Sequence, residues 1–345
     1  MNLSIFTLTT RGLEAVAAQE LAALPGTTIT GQAYRRVQAT IQAASPALTE
    51  LRTVDDVYLQ LAHWETVGHT RAMLVEFEDR AAALTPAVEQ AIEAINTLRP
   101  LRARPTFSVT ASFVGKRNYN TDEIKSAIAA GVESQNPWHY TADDREADLN
   151  VRVFIEHEVA LVGLRIGTRP LHERAWKVAE RPGALKPSVA AALCRLAEVE
   201  PGQLLIDPCC GGGTLLIEAA ISGAAARGGD LDSDAVEVAR ANGTAAGYPI
   251  TVEAWDSRHL PLPDASIDRV LSNLPWGKQI AVDATLTHFY AETCREIERV
   301  LKPGGVAALL TSQPELLHFE RSKTTQSIEI SLYGQTPTIS LFTAR

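Results

Sequence analysis

The sequence predicts an α/β chain, with a mostly parallel sheet carrying an antiparallel C-terminal edge over residues 186–345 and smaller α+β units before it. Three observations carry this. From Lys186 onward strand-like and helix-like stretches alternate, the pattern of βαβ units. Three glycines, Gly211, Gly212 and Gly213, separate the first of those strands from the helix that follows. Earlier in the chain the stretches are short alternating strands, apolar-periodic helices and the hairpin-like "LNVRVFIEHEVALVGLRI". A chain of 345 residues is long enough for two or three units, each burying its own core.

Residues 1–55 pair the strand-like runs "LSIFTLT" and "RRVQATIQ" with a helix, "GLEAVAAQELAAL", in which Leu13, Val16, Ala17, Glu20, Leu21 and Leu24 recur at helical spacing. Residues 56–167 form a second α+β unit: a helix around "AVEQAIEAINTL", a strand "PTFSVTASF", a helix "TDEIKSAIAAGVES", then the hairpin. Its first arm alternates Leu149, Val151, Val153 and Ile155 before turning at Glu156, His157 and Glu158. Residues 168–185 are punctuated by Pro and Gly, lack periodicity, and read as a linker. The third unit, 186–345, opens with helix "SVAAALCRLAEV" and strand "QLLID". After the glycine loop come helix "TLLIEAAISGAA", strand "RGGDLD", helix "SDAVEVARANGTAAG" and strands "ITVEAW" and "IDRVLSN". Helix "ATLTHFYAETCREIERVL" and strand "VAALLTS" lead to two closing strands, "QSIEISLY" and "TPTISLFT". Two consecutive strands at the end predict the antiparallel edge.

No apolar run approaches the roughly 18 residues of a membrane span, and the N-terminus lacks a basic segment followed by an apolar block, so a cytoplasmic address is expected. Cys194, Cys209, Cys210 and Cys294 have no CxxC spacing, which predicts reduced thiols and no metal site. The net charge of −9 excludes a diffuse electrostatic grip on nucleic acid. Charge is concentrated locally, however. Arg99–Lys125 holds six Lys/Arg against two acids, and Arg165–Lys186 again holds six against two. Each is either a solvated face or part of a polyanion site.

"LLIDPCCGGGTLLIEAA" places Asp207 at the end of a strand and the glycines in the turn before a helix, where the backbone can approach a ligand closely. The dinucleotide fingerprint needs a third glycine where Leu216 stands, so an adenosyl ligand without a pyrophosphate fits better. Asp230 ends the next strand, where a carboxylate can accept both ribose hydroxyls. Asp232 reads as a helix N-cap. Asp256 follows the third strand and either receives an adenine amino group or faces solvent. Asn273 ends the fourth strand in "SNLPWG". Its side-chain oxygen and the Leu274 carbonyl can both accept from one planar NH₂ group, with Trp276 stacking on the ring for roughly 1–3 kcal/mol. The alternative for Trp276 is a core aromatic after a proline turn.

At these residues a resemblance becomes specific. "DPCCGGGT", "GGDLD" and "SNLPWG" resemble the donor loop, ribose acid and Asn-Pro-Pro-aromatic turn of S-adenosylmethionine-dependent amino-methyltransferases. "TRGLEAVAAQEL", "SFVGKRNYN" and "LHERAWKV…LKPSVAAALCRLA" resemble THUMP-containing RNA methyltransferases, particularly the tRNA guanine-N2 type. Cys209, Gly212 and Leu274 depart from the family pattern, which has a bulky apolar residue, a Ser or Thr, and a Pro at these places. The resemblance implies a ferredoxin-like piece, a THUMP domain and a Rossmann-like catalytic domain. It implies S-adenosylmethionine against Asp207, Cys210, Gly211, Gly213, Thr214, Asp230, Leu231, Asp256, Ser257 and Asn273. Catalysis would fall to Asn273, Leu274, Pro275 and Trp276 with no metal, and RNA contact to Lys116, Arg117, Arg174 and Lys177. The expected substrate is the tRNA acceptor stem, held by its 3′ end and modified at a guanosine-6 type position. Ribosomal RNA, or RNA binding without catalysis, are the alternatives, and a DNA adenine or protein glutamine methyltransferase would leave residues 1–180 unexplained.

Overall fold

The computed structural model describes residues 2–277 and 286–345. The chain forms two compact units, one made of the residues up to Thr9 with Ala18–Leu171, the other of Thr10–Ala17 with His172–Arg345. Among the described residues no helix is long and apolar enough to cross a membrane.

The first unit is built on one eight-stranded sheet. Its strands are β1 (Leu3–Leu8), β2 (Thr27–Ala33), β3 (Arg36–Ile41), β4 (Asp56–Trp64), β5 (Thr106–Val114), β6 (His139–Tyr140), β7 (Leu149–Glu156) and β8 (Val159–Arg165), in the order β2-β3-β1-β4-β8-β7-β5-β6. The helices are α1 (Glu14–Ala22), which begins in the second unit's segment, α2 (Met73–Ala82), α3 (Thr85–Asn96) and α4 (Thr121–Gln135). The predicted hairpin is β7–β8, antiparallel from Val151↔Leu164 to Glu156↔Val159. Helix α4 starts with a capping box: the Asn120 side chain accepts from the Glu123 N–H, and the Glu123 carboxylate accepts from the Asn120 N–H. Ile124, Ile128 and Val132 then bury one stripe of it.

The sheet crosses residue 55 without a break, because β1 pairs with both β3 and β4. Elements β2, β4 and α2 are ones that apolar periodicity does not announce. Strand β2 has no buried residue, the first half of β4 is buried at every position, and α2 keeps only the narrow stripe Met73, Phe77 and Ala81. Alternation is a signal only where one sheet face is wet and the other dry.

A buried polar network ties four strands of this sheet. Arg165 Nε donates to Asp56 Oδ2 at 2.7 Å and Nη1 to Asp144 Oδ2 at 2.7 Å. Asp144 Oδ1 accepts from Ser108 Oγ and Asn150 Nδ2 at 2.7 and 2.8 Å.

The second unit carries a seven-stranded sheet in the order β11-β10-β9-β12-β13-β15-β14. Its strands are β9 (Leu204–Asp207), β10 (Ala225–Asp230), β11 (Ile250–Ala254), β12 (Ile267–Asn273), β13 (Leu301–Thr311), β14 (Ser322–Glu329) and β15 (Thr338–Ala344). Strands β9 to β13 are parallel, and β15 runs antiparallel to both β13 and β14, the predicted edge. Helices α5 (Pro187–Leu196), α6 (Thr214–Ile221) and α7 (Ser233–Ala246) pack with Leu205, Leu271, Ala308 and Leu310 in one core cluster. Helix α8 (Leu286–Val300) packs with the alternate residues Ile206, Val270, Ala307 and Leu309 in another. Successive strand residues pointing into two cores mark a doubly wound sheet. The first two residues of the helix predicted from Ala284 lie outside the described residues.

Replacing Arg165 with Leu would leave Asp56 as a buried carboxylate without its cation, at an expected cost of about 3–5 kcal/mol. Urea unfolding, with hydrogen exchange read at the β4 and β8 amides, measures it. A loss below about 1 kcal/mol, the size of an exposed pair, would show that the pair does not hold these strands.

Candidate active site

Strands β10 and β12 flank β9 on opposite sides, so the chain reverses its winding direction between β9 and β12. That is the switch point where open α/β sheets leave a crevice at the carboxyl ends. A cavity of about 570 Å³ lies there. Of the predicted residues, Asp207, Cys210, Gly211, Thr214, Asp230, Leu231, Asp256, Ser257, Asn273 and Pro275 line it, and Gly213, Leu274 and Trp276 do not.

Asp207 is fully buried at the end of β9. Its Oδ1 accepts from Ser272 Oγ at 2.7 Å and from the Cys209 N–H at 3.1 Å. Burial pushes the carboxyl up to about 7, against the pull of those two donors and with the Asp230 carboxylate adding to the rise. Burial likewise raises both the Cys209 and Cys210 thiols, helped by Asp207 and Asp230, so neither is a thiolate at neutral pH.

Asp230 braces the glycine loop: Oδ2 accepts from the Gly211 N–H at 2.9 Å and Oδ1 from the Asp232 N–H at 3.1 Å. Gly213 caps α6 with φ +79°, a backbone that L side chains rarely adopt, and a Cβ there would lie in tight contact with the Ala239 Cβ at 3.0 Å. Gly212 differs. A Cβ there would meet Val238 and Asn242 at 3.5 and 3.7 Å, ordinary contact, so its departure from the family's Ser or Thr costs no space. Asp232 is an N-cap as expected, accepting from the Asp234 N–H at 2.9 Å, and it also pairs with Arg181. Leu231 is 64% exposed, an apolar side chain presented at the cavity.

Asp256 is chelated by Arg258, with Nε 2.9 Å from Oδ1 and Nη2 2.8 Å from Oδ2, and that guanidinium holds its carboxyl below the usual range. It lines the cavity with both oxygens already engaged by a cation. The neighbouring Ser257 Oγ lies 3.1 Å from Thr293 Oγ1.

The turn after β12 alternates its directions. Asn273 lines the cavity, and its Oδ1 is buried with no hydrogen-bond partner among the described residues. Its Nδ2 is 3.5 Å from the Gly183 carbonyl. Leu274 points into the core shared with α8 and donates its N–H to the Leu310 carbonyl at 3.0 Å. The Pro275 carbonyl accepts from the buried Tyr290 hydroxyl at 3.0 Å. Trp276 departs from the stacking expectation. Its indole is 9% exposed and belongs to the core cluster that includes Leu13, Ile330 and Ile339. The large apolar surface is buried in the protein instead of facing the cavity.

The segment 168–185 has no helix or strand, and Arg181–Leu185 form part of the cavity wall. Its Arg174 is turned inward, Nε 3.2 Å from Oε1 of fully buried Glu218, with 10% of the side chain exposed. Lys177 pairs with Glu180 at 3.2 Å. In the first unit, Arg117 donates to the Gly68 and His157 carbonyls and to the Tyr119 hydroxyl, and packs 5.7 Å from the centres of the Phe113 and Tyr119 rings. Arg117 and Arg174 therefore brace the protein's own backbone and side chains and are not presented as RNA contacts; Lys116 is exposed. Sequence reasoning missed the wall residues Arg181–Leu185 and Phe289, and Ser272, which bonds Asp207 behind the wall. Only the Pro182-Gly183 pair signalled an irregular backbone at the wall.

Sheet order, glycine loop, switch-point cavity and Asn-X-Pro-Trp turn define a Rossmann-like methyltransferase domain. A family model described as "RMKL-like, methyltransferase domain" matches residues 174–332, and the THUMP domain model matches 84–165. The tRNA (guanine(6)-N2)-methyltransferase of Thermus thermophilus is 34% identical over 75% of this chain and 76% of its own length. The U6 snRNA (guanine-N(2))-methyltransferase THUMPD2 of Bos taurus is 28% identical over 66% of this chain, which spans 44% of that relative. The crystal structure of TrmN from Thermus thermophilus superposes with a TM-score of 0.79, at 28% identity, over 99% of this chain and 100% of that one. This chain belongs to the family of THUMP-containing methyltransferases and is an enzyme of that class.

The raised carboxyl of Asp207 makes stability depend on pH. Its ordinary value is 3.8 and its folded value about 7, so the folded protein holds this proton longer than the unfolded chain. The resulting stability is fully present below pH 3.8, falls as pH rises, and is gone above about 7. Asp207→Asn removes that slope. Its unfolding free energy, relative to the native protein, should rise by up to about 4 kcal/mol between pH 4 and pH 8 in urea titrations. A flat difference would mean that the carboxyl titrates normally.

Proposed function

We propose that this protein transfers a methyl group from S-adenosylmethionine to the exocyclic N2 amine of a guanosine in the tRNA acceptor stem, the guanosine-6 type of site. One observation carries the reading. Asn273 presents a buried oxygen, without a protein partner among the described residues, at a cavity whose other walls suit an adenosyl sulfonium. A buried acceptor left unmet costs about 1–3 kcal/mol, which a ligand N–H would recover. The name of the Thermus relative, tRNA (guanine(6)-N2)-methyltransferase, supports the choice of amine and RNA.

The donor supplies an electrophilic methyl on a positively charged sulfur. Among the described residues Asp230 has no ion-pair partner, so its carboxylate leaves the cavity a negative potential that a cation complements. Asp230 would accept the ribose hydroxyls, and Leu231 would cover the adenine with its exposed apolar face. Ser257 borders the same wall. The guanine amine is weakly nucleophilic because its lone pair is delocalised into the ring. Asn273 Oδ1 and the Leu274 carbonyl would each accept one of its N–H bonds, orienting the lone pair and strengthening as the nitrogen pyramidalises. Holding the amine in line supplies the rest of the rate.

A guanosine in a stem must be flipped out to reach the turn. With Trp276 in the core, the apolar group of the turn that borders the cavity is Pro275, and the base would lie against it. In the RNA-binding unit exposed Lys116 is the basic residue offered to the 3′ end, as the THUMP domain implies. A-form stems are read by backbone shape and 2′-hydroxyls, so a grip on the 3′ end would set the distance to the modified base.

Asn273→Ala should lower the single-turnover methylation rate on the order of a hundredfold while S-adenosylmethionine binding in calorimetry stays unchanged. Equal rates in variant and native protein would remove Asn273 from the chemistry. Removing the 3′ terminal nucleotides of a tRNA substrate should cut methylation severely without altering donor affinity, and Lys116→Glu should weaken binding of the intact tRNA. Full activity on the trimmed tRNA, or faster methylation of a ribosomal fragment, would refute the acceptor-stem substrate.

A further inference from the structure

Asn242 sits inside the C-terminal half of α7, where asparagine is a poor helix former because its amide competes for backbone partners. It is 1% exposed, and its amide is in full use. Oδ1 accepts from the Ala179 N–H at 3.0 Å. Nδ2 donates to the Ala179 carbonyl at 3.1 Å and to the Gly212 carbonyl at 3.0 Å. The carboxamide thus pairs with the irregular segment as a strand backbone would, and with its second N–H holds the glycine loop.

Two ion pairs fasten the same segment, Arg174 with Glu218 on α6 and Arg181 with Asp232 at the start of α7. The Tyr333 hydroxyl adds a bond to the Ala184 carbonyl at 2.7 Å. Residues 181–185, which include two of these ties, and Gly211–Gly212 all line the cavity. Among these fasteners Asn242 bonds both the segment, at Ala179 two residues before the wall, and the glycine loop, at Gly212, with one rigid plane.

We infer that Asn242 is a positioning residue that sets the separation of the 179–185 segment and the glycine loop, and through it the affinity of the cavity for the adenosyl donor. The inference rests on reading this cavity as the S-adenosylmethionine site. A carboxamide is required because one acceptor and two donors must lie in one plane. Aspartate would keep the acceptor for Ala179 N–H and turn a charge toward two carbonyl oxygens. Alanine would leave all three backbone groups unmet. Asn242 does not itself line the cavity, so its loss should act on donor binding and leave the methyl-transfer step intact.

The test compares Asn242→Ala and Asn242→Asp with the native full-length protein, by calorimetry with S-adenosylmethionine and by kinetics with donor varied at saturating RNA. Both variants should show about tenfold weaker donor binding and a matching rise in donor KM, with kcat within about twofold of native. Hydrogen exchange at the Ala179 amide should quicken. If Asn242→Ala fails to fold, Asn242→Asp preserves the volume and carries the same expectation. Donor affinity within about twofold of native in a folded variant, or a fall in kcat at unchanged KM, would overturn the role of Asn242. Absence of S-adenosylmethionine binding by the native protein would instead overturn the reading of the cavity, and the inference with it.

Discussion

The carboxylate of Asp207 joins the two strands whose divergence opens the cavity. Through Oδ1 it takes the Ser272 hydroxyl from β12 and the Cys209 N–H at the start of the glycine loop. Strand β12 delivers Asn273 one residue after Ser272, so the bond that holds the strands together also fixes where the turn after β12 begins. Burying a carboxyl there is unfavourable in its charged form, which is why its proton is held to about pH 7.

The remaining acids around the cavity are divided by their partners. Asp232 and Asp256 are each paired with an arginine, while Asp230 accepts only backbone N–H groups. That division leaves Asp230, of these three, the carboxylate without a cation and with lone pairs left for hydroxyl donors. The irregular segment from His172 to Lys186 completes the wall. It has no ladder of its own, so its shape comes from side chains that reach it from α6, α7 and Tyr333.

The first unit uses charge differently. Arg165, Asp56, Asp144 and Asn150 are joined in one hydrogen-bonded network at the sheet, and Arg117 donates to two carbonyls and a hydroxyl. Basic residues that look like a polyanion site in the sequence are partly the fasteners of a sheet whose strands are separated by long connections. Counting cations along the chain does not distinguish the two uses, because burial and partnering are long-range properties.

The sequence by itself determined the doubly wound sheet, its antiparallel edge, the hairpin β7–β8 and the strand-end positions of Asp207, Asp230 and Asn273. Each rests on local information: apolar period, glycine at a turn, and the rule that a parallel strand hands its last residue to the crevice. The same local logic identified Asp232 as a cap, since its partner is two residues away. The tertiary structure alone decided the rest. It made a wall out of residues 181–185, turned Arg174 inward against Glu218, and placed Trp276 in a core with Leu13. Leu13 and Trp276 are distant in sequence, and no periodicity within either segment encodes their meeting. A side chain's partner sets whether it binds ligand or protein, and partners separated by long stretches of chain are chosen only when the whole unit packs.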